Sequence, residues 1–143
     1  MNANDARIAK LAVAQTGGDI QEVAPNAPAT GVGPPAPNFD LVLEMEAGSS
    51  VGGNYTLTCT CFDHTAGARN TAMDPGSPLN GTDQFAGPNW SPNTATNENT
   101  FDQTITVPVP GGVSGHVFSY TVALVSANGQ QVDAIESPLF ILV

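Results

Sequence analysis

Apolar and polar residues trade places one for one along four stretches of this chain, and a side-chain period of two commits such stretches to β-strands. Phe39, Leu41, Leu43 and Met45 alternate with Asp40, Val42, Glu44 and Glu46. Tyr55, Leu57, Cys59 and Cys61 share one face, with Thr56, Thr58 and Thr60 opposite. Phe101, Gln103, Ile105, Val107 and Val109 alternate with Asp102, Thr104, Thr106 and Pro108, and Pro108 and Pro110 confine that strand's end to an edge or a bend. Phe118, Tyr120, Val122 and Leu124 face away from Ser119, Thr121 and Ala123. A fifth strand, Gln131–Val143, breaks at Pro138 and ends in the continuous run Leu139–Val143, which predicts cover on both faces. Asn128-Gly129 before it reads as a type I′ hairpin turn.

Five such strands point to an all-β fold: a single antiparallel β-sandwich of immunoglobulin-like or related Greek-key topology. The antibody pattern of Cys, Trp and Cys is absent, so the similarity is one of architecture only. The sandwich is expected to occupy residues 39–143. Its least regular part is the loop 63–100, rich in Asn, Thr, Gly and Pro. Structureless loops of that length are uncommon in a packed domain, so one or two short strands are expected there, anchored by Asp83–Phe85 and Trp90.

Residues 1–38 read as a different material, an N-terminal arm with nine Ala, five Pro and four Gly. Ile8, Leu11 and Ala12 fall at helical spacing behind Asn4 or Asp5, which predicts a short helix over 5–14. The Pro/Ala/Gly composition of 23–38 favours an extended, polyproline-like path.

Charge narrows the partners. The net charge is −10, and after Lys10 the only cation is Arg69. Such a chain cannot neutralise a phosphate backbone, so nucleic acid is not an expected partner, and anionic membrane surfaces repel it. No apolar run approaches the roughly 20 residues that span a bilayer. Leu11–Ala14 is shorter than the core of a secretory signal, so no signal peptide is expected and the compartment stays open. Cys59 and Cys61 stand too far apart on one strand face for an unstrained mutual bridge, which favours reduced thiols.

Several residues carry candidate chemistry. Cys59, Cys61 and His64 have the softness of metal ligands, but a closed zinc site needs a fourth, and core thiols are the expected reading. Asp63, Asp74, Asp83 and Asp102 could offer oxygens to calcium, although their spacing fits no EF-hand and turn formation explains them. Glu44 and Glu46 share a strand face as a carboxylate pair. With only His64 and His116 as imidazole bases, no nucleophile–base–orienter set can be assembled, so no enzyme, metal or cofactor is expected. Phe85 and Trp90, with the Asn-rich segment Asn89–Asn99, could form a stacking platform for a glycan, against burial as loop anchors. Asn54, Asn80 and Asn89 head glycosylation sequons, relevant only to a eukaryotic secretory route.

The expectation that joins these features is a structural role: a subunit that self-assembles or decorates a large particle, with other protein subunits as partners. Lys, which commonly guards sheet edges, is almost absent. The arm residues Ile8, Leu11 and Val13 and the terminal residues Leu139, Phe140 and Ile141 are the expected assembly contacts. A glycan-binding module built on Phe85 and Trp90 is the alternative.

Overall fold

The alternating segments fold as their period requires. In the computed structural model, which describes residues 1–18 and 22–143, the strands form two antiparallel sheets facing each other across one core. The first sheet runs β1 (Ala6–Ala14), β2 (Asn38–Gly48), β7 (Glu98–Pro108), β6 (Trp90–Asn93). The second pairs β3 (Asn54–Asp63) with β8 (Val117–Ser126). Beside β8 lie β9 (Val132–Glu136) and β10 (Phe140–Ile141); beside β3 lie β4 (Ala68–Arg69) and β5 (Gly81–Gln84). The inward residues Phe39, Leu41, Leu43, Leu57, Cys59, Phe118, Tyr120, Val122 and Leu124 are at most 2% exposed. Burying one side chain of this kind stabilises by about 1.5–3 kcal/mol, so the alternation itself drives the two sheets together. Phe140 completes the core between Phe39, Phe118 and Tyr120, with ring centroids 5.5–5.8 Å apart.

The first residues depart from expectation. Ala6–Ala14 is strand β1, paired antiparallel with β2, and not the helix expected over 5–14. The register shifts between Ile8 and Lys10. Such a bulge inserts one residue, so Ile8 and then Leu11 and Val13 all reach the core. That spacing imitates a helix in the sequence. A lone three-turn helix is marginal in water, whereas β1 satisfies the backbone groups of β2 and buries three apolar side chains. The boundary expected at residue 38 therefore does not separate arm from sandwich. The only cations before Arg69 also find their place here: Arg7 lies opposite Glu46, 2.7 Å from its carboxylate, and Lys10 lies opposite Glu44.

Glu22–Pro37 then crosses the seam between the sheets. The Glu22 N–H bonds to Val13 O (3.1 Å), and Val23 O accepts the Ile141 N–H (2.7 Å). Asn26 exchanges two 2.9 Å hydrogen bonds with the backbone of Val143. Further along the same seam, Gln131, just before β9, and Asp133 within it accept the outward N–H groups of Ala6 and Ile8, each at 2.8 Å.

The loop 63–100 holds β4, a single 3₁₀ turn at Thr71–Met73, β5 and β6, with Phe85 and Trp90 buried as its anchors. Between β4 and β5 no strand among the described residues covers β3; side chains do. The Asn80 carboxamide accepts the Cys59 N–H at 2.5 Å and donates to Cys59 O at 2.9 Å, and Asp74 accepts the Cys61 N–H at 2.7 Å.

β7 is open along part of its length. It pairs with β2 over its whole length, but with β6 only over Glu98–Phe101. The Val109 N–H bonds to Pro37 O, two residues beyond the Val107–Phe39 rung. Alternation along an antiparallel ladder then turns the backbone of Asp102, Thr104 and Thr106 away from β2. No strand among the described residues meets them.

Two details of the C-terminal hairpin differ from expectation. Gly129 alone takes a left-handed conformation (φ 70°), so the turn is not type I′. Asn128 instead acts through its side chain, accepting from the Ser126 hydroxyl and the Gln130 N–H. Leu139–Val143 is covered on one face only: Phe140 and Leu142 are buried, while Leu139, Ile141 and Val143 are exposed because β10 lies at the sheet border.

Candidate functional site

Trp90 and Phe85 do not form a stacking platform. Trp90 is 6% exposed and Phe85 2%. Their rings pack with Tyr55 and Phe101 at centroid distances of 4.6–6.0 Å. The indole N–H donates to the Tyr55 hydroxyl (3.1 Å), which donates to Asp83 (3.2 Å), whose carboxylate also receives Asn89 (2.8 Å). Burying so large an aromatic surface outweighs leaving it free for a ligand. The chain of bonds ties β3, β5 and β6 together.

Cys59, Cys61 and His64 do not converge. Both thiols lie in the core, and burial pushes each up to about 12. His64 stands outside the sheet. The four aspartates are likewise dispersed: Asp63 binds His116, Asp74 binds Arg69 and the Cys61 N–H, Asp83 serves Tyr55, and Asp102 lines the outer face of the first sheet. There Glu44 and Glu46 line a shallow depression with Ala9, Thr100 and Asp102. Glu44 sits directly opposite Asp102, and Glu46 is engaged by Arg7.

One constellation escapes sequence reasoning. His64 Nε2 lies 2.8 Å from Ser119 Oγ, which donates to Glu136 at 2.7 Å, with Phe62 edge-on to the imidazole. The three polar residues lie on β8, β9 and the end of β3, up to 72 positions apart, so only the register unites them. Serine, histidine and carboxylate are a nucleophile's parts, but their order is wrong for one. The Ser119 proton goes to the carboxylate instead of the imidazole, and Ser119 is 1% exposed. The arrangement is a hydrogen-bonded staple across three strands.

Beneath it, buried Asp63 meets His116 Nδ1 at 2.7 Å and caps the Ala66 N–H at 2.9 Å. Burial pushes its carboxyl up, but the bonds from His116 and the backbone outweigh that and hold it below the usual range. A depressed folded-state pKa contributes stability above the unfolded value and loses it as pH falls through the folded one. Stability is therefore expected to drop below about pH 4, the ordinary aspartate range. In Asp63→Asn that part of the acid limb should flatten, as measured by urea unfolding at pH 2.5–6.

The expected assembly contacts divide. Ile8, Leu11, Val13 and Phe140 are buried within their own chain, whereas Leu139 is 57% and Ile141 36% exposed. The chain matches no protein-family model and no curated protein.

Proposed function

We propose that this chain is a non-enzymatic structural subunit that builds, or decorates, a larger particle by adding neighbours to its sheet edges. The observation that carries this reading is the open edge of β7. Asp102, Thr104 and Thr106 offer backbone donors and acceptors with no strand opposite, while side chains or crossing segments engage the edges of β1 and β3. Thr104-Ile105-Thr106-Val107 is a β-branched run with high strand preference, and no lysine guards it. Strand addition uses such an edge: main-chain bonds supply affinity, and exposed Leu139 and Ile141 add apolar surface elsewhere. The net charge of −10 opposes association, so assembly should strengthen as salt screens it.

Sedimentation of the full chain over a range of protein and salt concentrations tests the reading. Thr104→Pro removes an outward N–H, and Thr104→Lys places a charge at the edge. Both should weaken association at least tenfold, about 1.4 kcal/mol, and leave the monomer folded. Association unchanged in both variants would move the contact off β7. A chain that is monomeric under all conditions and joins no particle would sink the structural reading.

A further inference from the structure

We propose that β1 and the docked segment Glu22–Asn26 form an exchangeable unit, which two copies of this chain trade so that each β1 completes the first sheet of its partner. This names the partner for the assembly reading above and rests on it.

The connection to β2 is the first observation. Ala14 lies directly opposite Asp40. Neighbouring antiparallel strands need only a two-residue turn between them. This chain places residues 15–39 between those two positions. That is far more chain than the turn itself requires.

The way that connection is held is the second. Its first part is tied to β1 by the Glu22–Val13 bond and docks on the C-terminus, Val23 on Ile141 and Asn26 on Val143, with Pro25 and Asn26 buried. Its last part is different. Residues 29–35 are all exposed. The turn back toward β2 runs through Gly31 and Gly33 at φ 74° and 107°, among Pro28, Pro34, Pro35 and Pro37. Proline-rich backbone prefers an extended path, and here it is folded back through two left-handed glycines. Opened out, residues 27–37 would reach about 35 Å, enough to carry β1 to a neighbour.

The third observation is that every group receiving β1 belongs to the rest of the chain. These are the β2 ladder with Glu44 and Glu46, the Gln131 and Asp133 caps, and the termini of β10. A second copy offers the same groups in the same geometry. Exchange thus recovers each contact of Ile8, Leu11 and Val13 in trans, and opening the hinge gives up the Gly31–Pro28 and Ala36–Asn26 backbone bonds besides the entropic cost of association.

The test uses the full-length double variant Arg7→Cys/Glu46→Cys, which places two thiols across an exposed β1–β2 rung. Native Cys59 and Cys61 are fully buried and do not compete for a short bis-maleimide. Monomer and dimer are separated by size after incubation at high protein concentration and salt, bridged, and run on a denaturing gel. The monomer fraction should yield a bridge within one chain, and the dimer fraction a covalent dimer. The backbones of Asn26 and Ala36 meet at 2.7 Å, so deleting residues 27–35 in the same background leaves no residue to make the turn back and should raise the dimer fraction at least tenfold. Dimers whose bridges stay within single chains would overturn exchange while leaving assembly through β7 standing. A deletion variant that folds as a monomer would also overturn it.

Discussion

Replacing Asn80 by alanine should cost about 3 kcal/mol of stability, far more than an exposed turn residue would. The side chain stands in for a strand. Its oxygen accepts the Cys59 N–H, and its nitrogen donates to the carbonyls of Cys59 and Pro75. Each bond is worth about 1 kcal/mol net, and the Cys59 backbone groups left behind lie part-buried at the β3 edge, where an unmade bond costs more. For a chain of this size the loss corresponds to a fall in melting temperature of roughly 10 °C. Asn80→Asp is nearly isosteric and should be worse, because a carboxylate would face two carbonyl oxygens with no proton to give. Thermal unfolding of both variants checks this. A loss under 1 kcal/mol in Asn80→Asp would mean that water replaces the carboxamide and that the β3 edge is open as well.

Period two made β2, β3, β7 and β8 legible, because burial on one face leaves the same mark wherever the strand sits. β1 was misread for a physical reason. Its bulge at Ala9 breaks the alternation, and Ile8, Leu11 and Ala12 then mimic a helix. The ends of the second sheet were less legible because side chains replace strands there, and one asparagine spanning a rung has no periodicity to detect. Ser119, His64 and Glu136 show the same limit in three dimensions: Ser119 is legible as facing away from Phe118 and Tyr120, but its meeting with His64 and Glu136 depends on register, which local sequence does not encode. Phe85 and Trp90 were placed correctly as anchors of the long loop. Their burial also removes the platform on which a glycan-binding reading depended.

Replacing Trp90 by alanine should be the most damaging single change, at about 4 kcal/mol, in the range measured for large aromatics cut from cores. Three rings, Tyr55, Phe85 and Phe101, would lose their common neighbour. β6 would lose its only buried residue, and with it the anchor that holds Ser91–Asn93 against β7. Trp90→Phe keeps most of the apolar contact and gives up the bond to the Tyr55 hydroxyl, so about 1 kcal/mol is expected. A second readout follows Tyr55 itself. Burial holds its hydroxyl well above the ordinary tyrosine range, Asp83 adds to this and the indole N–H opposes it, so opening the site to water should lower the alkaline titration by more than losing that N–H raises it. Ultraviolet titration of a Tyr120→Phe background isolates that signal, since Tyr55 and Tyr120 are the only tyrosines in the chain. A surface platform would behave differently: its removal would change stability by less than about 0.5 kcal/mol and leave Tyr55 where it was. The two outcomes are far enough apart for a single denaturation series to decide whether this tryptophan holds the loop or serves a ligand.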